Sequence, residues 1–306
     1  GVTIAGPIGS QKRFLGVALA NTDTPELVTQ AHKAFVAAGA DVITTNNYSI
    51  VPATLALSRG RFGDADLEEL VGKSAELACR VRDAGSRDGR RVRVAGSLPP
   101  LRESYRHEQV PPDGELAHVV VAYTRIATAL VENGVDLLLA ETMSCSREAT
   151  CAARGATAAA PGTELWLGYT LAEDGSGTLR SGETMADAVS HLAASGVLDR
   201  VSAMLFNCSQ PDGISAALPQ AAAALASALP PSRAAAVRLG GYANAFTTAL
   251  GDGKGSDYDI ACTPARYAEV VVDDWVAQHG ATIVGGCCGI FPEHIDELSK
   301  QLGRDS

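Results

Sequence analysis

Residues 135–142 read Val135-Asp136-Leu137-Leu138-Leu139-Ala140-Glu141-Thr142. A short apolar run without polar alternation reads as a strand covered on both faces, the kind found in parallel sheets. The run ends abruptly in an acid and a hydroxyl. A helical pattern over 115–133 precedes it and stops at Gly134, and a second helical pattern covers 146–159. Glycine closes helices because it tolerates the left-handed conformation. A buried strand with a helix on either side is the unit from which parallel α/β sheets are built.

The same unit recurs in both directions. Strands are expected at 2–5, 41–45, 91–95, 135–140, 164–170, 201–206, 234–239 and 281–284. Gly96 is expected to end the third, and Gly240-Gly241-Tyr242-Ala243-Asn244 to follow the seventh. Helices are expected at 24–38, 64–88, 115–133, 146–159, 184–194, 211–229, 263–279 and from 292 onward. Thr24 and Thr184 stand as N-caps, and Pro25 occupies a first helical position. Eight strand-then-helix units without a linker predict one α/β domain over residues 1–306, a single (β/α)8 TIM barrel. The competing arrangement is a doubly wound open sheet, which wants a glycine-rich phosphate loop after its first strand. Gly6-Pro7-Ile8-Gly9 does not match that loop.

Composition narrows the function. The chain of 306 residues is 46% hydrophobic and 20% charged, with a formal net charge of −10. Such acidity argues against nucleic-acid and anionic-membrane surfaces. No apolar run approaches the roughly 20 residues of a membrane span, and residues 1–15 carry no signal-peptide core. The expectation is a cytoplasmic protein acting on small molecules. Seven cysteines at irregular spacing do not form a secreted disulfide framework. Cys79 and Cys151 fall inside helices and are expected to be buried fillers.

Barrel chemistry sits at the C-terminal ends of the strands. Those ends carry Asn46-Asn47-Tyr48, Gly96-Ser97, Glu141-Thr142, Asn207-Cys208, Tyr242-Ala243-Asn244 and Cys287-Cys288. Cys208, Cys287 and Cys288 are therefore expected to converge, with Cys145 and Cys262 as weaker alternatives for the third position. Adjacent side chains of a strand point to opposite faces. The glycines around Cys287-Cys288 supply the backbone freedom to aim both sulfurs at one point. Three thiolates make a zinc site with an open fourth position. Such a centre suits activation of an incoming thiol, which then attacks a soft electrophile such as a methyl group on a positively charged sulfur or nitrogen. The residues alone leave two other readings open: a vicinal disulfide and a pair of inert buried thiols. A hydrolytic zinc site is not indicated, because no H-E-x-x-H occurs.

Gly285-Gly286-Cys287-Cys288-Gly289, followed by Pro292-Glu293-His294-Ile295, resembles the C-terminal signature of the homocysteine S-methyltransferase family. Further segments are similar to the family's motifs in the same order: residues 40–48, 95–101, 134–142, Phe206-Asn207-Cys208-Ser209 and residues 241–246. The resemblance implies a (β/α)8 barrel and zinc on Cys208, Cys287 and Cys288. It implies methyl transfer to homocysteine, giving methionine. S-methylmethionine or S-adenosylmethionine is the implied donor, with betaine or a thetin as the alternative. It also implies that Glu141 holds the substrate ammonium, and that Asn46, Ser97, Thr142, Asn207 and Asn244 line the amino-acid pocket. One position departs from the pattern. Where the family has Asp-Gly-Gly, this chain has Ala5-Gly6-Pro7. A charge-assisted hydrogen bond is worth about 1.5–3 kcal/mol. The missing acid therefore points to weaker homocysteine binding, to another acid in its place, to a different thiol acceptor, or to a non-catalytic or redox-regulated relative.

Tyr48, Tyr105, Tyr169 and Tyr242 lie near strand ends, where their rings could face an onium donor or simply pack. His32, His118, His191 and His279 fall in helices and are expected at the surface.

Overall fold

The computed structural model describes residues 11–58, 60–85, 91–245 and 262–303. The expected strand at 2–5, with Ala5-Gly6-Pro7, and the glycine-rich stretch 251–259 lie outside the described residues. Seven strands follow one another in chain order: β1 Val42–Thr44, β2 Arg93–Leu98, β3 Leu137–Met143, β4 Glu164–Tyr169, β5 Val201–Asn207, β6 Arg238–Ala243 and β7 Ile283–Gly286. Every neighbouring pair is parallel. The helices that return the chain between them include Leu67–Ala84, Ala117–Glu132, Ser146–Ala159, Met185–Ala194 and Pro211–Ala228. Among the described residues, no helix is long and apolar enough to cross a membrane.

Alternation along each strand sorts the side chains into two cores. One set packs beneath the helices and includes Val94, Leu138, Leu167, Met204 and Phe206. The other faces inward: Ala95, Leu137, Leu139, Trp166, Ala203, Leu205 and Tyr242, with Val42 and Ile283 packed against them. A flat seven-stranded sheet would be about 29 Å wide at the usual strand spacing. Side chains from β1 and β7 meet one cluster only because the sheet curls into a barrel. The lower ends of β1 and β7 also line one cavity of about 230 Å³.

The lower end of the barrel is plugged. Glu164 pairs with both Arg93 and Arg238, and Trp166 donates to its carboxylate at 2.7 Å. Both guanidinium groups lie over the Trp166 ring, at 5.9 Å for Arg93 and 5.0 Å for Arg238. Burial opposes ionisation of Glu164, yet these hydrogen bonds and charges hold its carboxyl below the usual range.

Several expectations are corrected. Residues 234–236 are helical within Pro231–Ala236, and the strand begins at Arg238. Alanines after a proline favour helix. The strand also continues past Leu239 through Gly240-Gly241, where it passes directly against the backbone of Ile283 on β7. Likewise β2 runs through Gly96, which lies under Leu130 of the covering helix. The helix from Pro264 is α-helical to Glu269 and continues as π-helix over Val270–Val276. His32 is fully buried and not at the surface.

Candidate metal centre

β5 ends at Asn207, and the next residue, Cys208, adopts a left-handed conformation with φ 48°. That twist is unusual without glycine, and it turns the sulfur away from the direction the strand would impose. At the end of β7 the chain folds back on itself. Ile290 N–H bonds to the Cys287 carbonyl at 3.2 Å, and a side chain at Gly286 would stand 2.1 Å from Ile290 Cγ2. Only glycine permits so close a return.

These two departures bring three sulfurs together. Cys208 Sγ lies 3.9 Å from Cys288 Sγ, and Cys287 Sγ lies 4.0 Å from Cys288 Sγ. All three sit within 4.8 Å of one another, the one such ligand group among the described residues. An ion held tetrahedrally by bonds of about 2.3 Å would space its sulfurs by about 3.8 Å, so the donor set fits a metal. A disulfide needs about 2.05 Å, and all three are free thiols. Cys145 and Cys262 stand outside the group.

The trio titrates as a unit. Hydrogen bonds from Cys287 and Cys288 hold the Cys208 thiol well below its ordinary value. The same bonds to Cys208, together with burial, push Cys287 and Cys288 up. One thiolate forms readily and its neighbours resist, because each further buried charge repels the first. A bound cation would relieve that repulsion.

Glu141 lies beside this trio at the end of β3, buried, with its Oε1 accepting from Ser97 Oγ at 2.5 Å. Burial pushes the Glu141 carboxyl up to about 8, against the stabilising Ser97 bond. Ser97 is itself clamped. Its N–H donates to Thr45 Oγ1 at 2.9 Å, Thr45 Oγ1 donates to Asn47 Oδ1 at 2.6 Å, and Asn47 Nδ2 donates to the Ser97 carbonyl at 3.0 Å. Thr45 and Asn47 are residues that the strand-end pattern displayed without assigning a task.

The remaining pocket residues divide. Thr142 and Asn207 bond to each other, with Thr142 N–H to Asn207 Oδ1 at 2.9 Å and Asn207 Nδ2 to Thr142 Oγ1 at 2.8 Å. Asn46 donates to the Val17 carbonyl at 2.9 Å and to Asn21 Oδ1 at 3.2 Å, which ties it to the helix Gln11–Asp23. Asn244 Oδ1 and the Tyr242 hydroxyl are buried without a hydrogen-bond partner among the described residues. Tyr48 shares a hydrogen bond with Ser104 at 2.8 Å. Tyr105, at φ 68°, stacks under the Arg180 guanidinium at 4.7 Å and reaches the Cys208 sulfur.

The family model described as homocysteine S-methyltransferase matches residues 8–302. The chain belongs to the homocysteine S-methyltransferase family. Within that family it is similar to homocysteine S-methyltransferase of Escherichia coli, at 29% identity over 292 residues, covering 91% of this chain and 85% of that protein. It is 28% identical over 291 residues to methionine synthase of Mycobacterium tuberculosis, spanning 93% of this chain and 22% of that longer protein. The fold is that of the homocysteine methyltransferase MmuM from Escherichia coli. The metallated form of that protein superposes with a TM-score of 0.70 at 24% identity, covering 98% of this chain and 96% of that one. Its oxidized form gives a TM-score of 0.71.

Proposed function

We propose that this homocysteine S-methyltransferase family member moves a methyl group from a sulfonium donor, S-methylmethionine or S-adenosylmethionine, to the thiol of homocysteine, giving methionine. Zinc on Cys208, Cys287 and Cys288 is part of this reading. The observation that carries it is the sulfur triangle, with spacings of 3.9 and 4.0 Å and three soft donors. Thiolate ligands select zinc among the common divalent ions. Zinc would lower the pKa of the acceptor thiol so that it is a nucleophile at neutral pH.

The chain's own groups bind and orient. Glu141 receives the substrate ammonium, and the arriving positive charge draws its raised pKa back down. Ser97 holds the carboxylate toward the pocket. Asn244 Oδ1, without a partner among the described residues, offers a second acceptor for the same ammonium; in the sequence, Ala5 stands where the family has an acid. Tyr48 and Tyr105 lie near the Cys208 sulfur and are the aromatic residues this reading assigns to the onium donor. Transfer forms the bond from the acceptor sulfur to the methyl carbon as the donor's sulfur–methyl bond breaks. No protein base is required, since the acceptor arrives at the methyl carbon already deprotonated.

A panel of sulfonium, betaine and thetin donors with homocysteine, scored for methionine, tests the reading. Turnover with a sulfonium and one metal ion per chain are expected, and Cys208→Ala should lose both. A Cys208→Ala protein that loses its metal and keeps its turnover would overturn the mechanism.

A further inference from the structure

Tyr267 sits on the helix Pro264–Glu269, outside the barrel and fully buried. Its hydroxyl accepts from Ala243 N–H at 3.1 Å and donates to the Gly285 carbonyl at 2.6 Å. Ala243 is the last residue of β6, and Gly285 lies on β7 two residues before Cys287. The register pairs Tyr242 with Gly285 and Ala243 with Gly286. In a regular parallel ladder, the Ala243 N–H and the Gly285 carbonyl meet at one hydrogen-bonding position. The phenol therefore engages both strands at the last rung below the cysteine pair. The next bond upward is already the cysteine's own, Cys287 N–H to the Ala243 carbonyl at 2.8 Å.

The far side of the cysteine turn is held from the same direction. His294 Nδ1 accepts from Phe291 N–H at 3.2 Å, which leaves Nε2 to donate to the Cys262 carbonyl at 3.2 Å. The Tyr267 ring meets the His294 ring edge-on, with centroids 6.3 Å apart and an interplanar angle of 84°. Trp275 supports the Tyr267 ring in the same fashion at 6.3 Å. One side chain thus fixes the chain at Gly285, a second fixes it at Phe291, and the two lean on each other. The segment between them carries Cys287 and Cys288.

We propose that Tyr267 and His294 form an outer brace that holds Cys287 and Cys288 in ligand geometry before any metal arrives. Both act as positioning residues through the backbone, without touching an ion. Ligand pairs on a folded-back loop lose affinity when the loop must be ordered at the moment of binding. Groups one layer out from the ligands typically account for 10–100-fold in metal affinity. The inference rests on the metal reading of the cysteine trio, and its test separates the two.

The experiment titrates the full-length metal-free protein with Co²⁺ and Zn²⁺ against a chromophoric chelator, and records the thiolate-to-cobalt charge-transfer band. Wild type, Tyr267→Phe, His294→Phe and Cys208→Ala are compared. Tyr267→Phe keeps the ring and removes only the hydroxyl. It should bind both ions about 10–100-fold more weakly than wild type, with an altered band and thermal stability close to wild type. Wild-type affinity and band in a folded Tyr267→Phe protein would overturn the brace. If Tyr267→Phe does not fold, His294→Phe carries the same two outcomes. Failure of wild type itself to bind either ion would overturn the metal reading and leave the brace without an object.

Discussion

Asn207 and Thr142 bond to each other twice across an intervening strand. The strand between them is β4, and it presents Gly168 at the crossing. A side chain there would stand 2.9 Å from Asn207 Oδ1 and 3.0 Å from the Tyr242 hydroxyl. Thr142 is left-handed at φ 59°, as is Cys208, the residue after Asn207, at φ 48°. Such conformations cost roughly 1–3 kcal/mol each and persist only where the surroundings impose them. The paired hydrogen bonds supply that imposition, so the aim of the Cys208 sulfur depends on a glycine of β4, the strand between the two partners. Gly168→Ala should break the crossing. Metal affinity is expected to fall at least about tenfold, as for other outer-layer changes, while circular dichroism of the barrel is retained. Asn207→Ala should give the same loss, and chelator competition measures both.

In the proposed reaction Glu141 receives the substrate ammonium, and its carboxyl is pushed up to about 8 by burial. Glu141→Gln removes the charge and keeps the shape. The lost charge-assisted bond, about 1.5–3 kcal/mol, corresponds to roughly a 10- to 100-fold rise in KM for the acceptor. The value of kcat should change far less. Wild-type KM should fall as pH rises toward 8, because ionised carboxylate is the binding form, and the variant should lack that slope. A steady-state pH series on both proteins checks this.

Glu148 is buried in the first turn of the helix Ser146–Ala159, bonded to Leu101 N–H and to the Tyr123 hydroxyl, both at 3.3 Å. Burial raises its pKa from 4.5 to about 7. Between those values the folded state binds more protons than the unfolded state, so stability falls as pH rises. Glu148→Gln keeps both acceptor bonds and cannot ionise. It should be more stable than wild type by about 2–3 kcal/mol more at pH 8 than at pH 5, read from urea unfolding.

His32 shows the opposite sign. Neither nitrogen of its buried ring has a partner among the described residues, and burial lowers its pKa from 6.5 to about 4. Here the unfolded state binds the extra proton, and stability is lost as pH falls from 6.5 toward 4. His32→Leu should remove that loss, worth about 2 kcal/mol at pH 5. Because Glu148 pulls the other way over the same range, the variant should gain about 2 kcal/mol at pH 5 relative to pH 7.5 when each is compared with wild type, read from urea unfolding at the two pH values.

The strand ends were readable from order alone, because an apolar run that stops at Glu141, Asn207 or Cys287 shows where buried backbone meets the pocket. The convergence of Cys208 with Cys287 and Cys288 follows from that rule and the barrel together. His32 was also within reach: Val28, His32 and Phe35 share one helix face, and the apolar neighbours mark that face as inward. The start of β6 was not, since alanines carry no signal that distinguishes a short helix from a strand, and glycine marks close approach as often as a turn. The bonds of Asn46, Thr142 and Asn207 lay further out of view. Each side chain's partner is 25 to 65 residues away, and local spacing does not encode which polar groups will be left for a substrate. Tyr267 carries no such signal, because its hydroxyl matters only once two strands are beneath it.

Arg93, Glu164, Arg238 and Trp166 seal the end of the barrel remote from the cysteines. With that end occupied by a charged, ring-stacked plug, the reactants of the proposed transfer are expected to approach the cysteines from the opposite face, where the strands terminate.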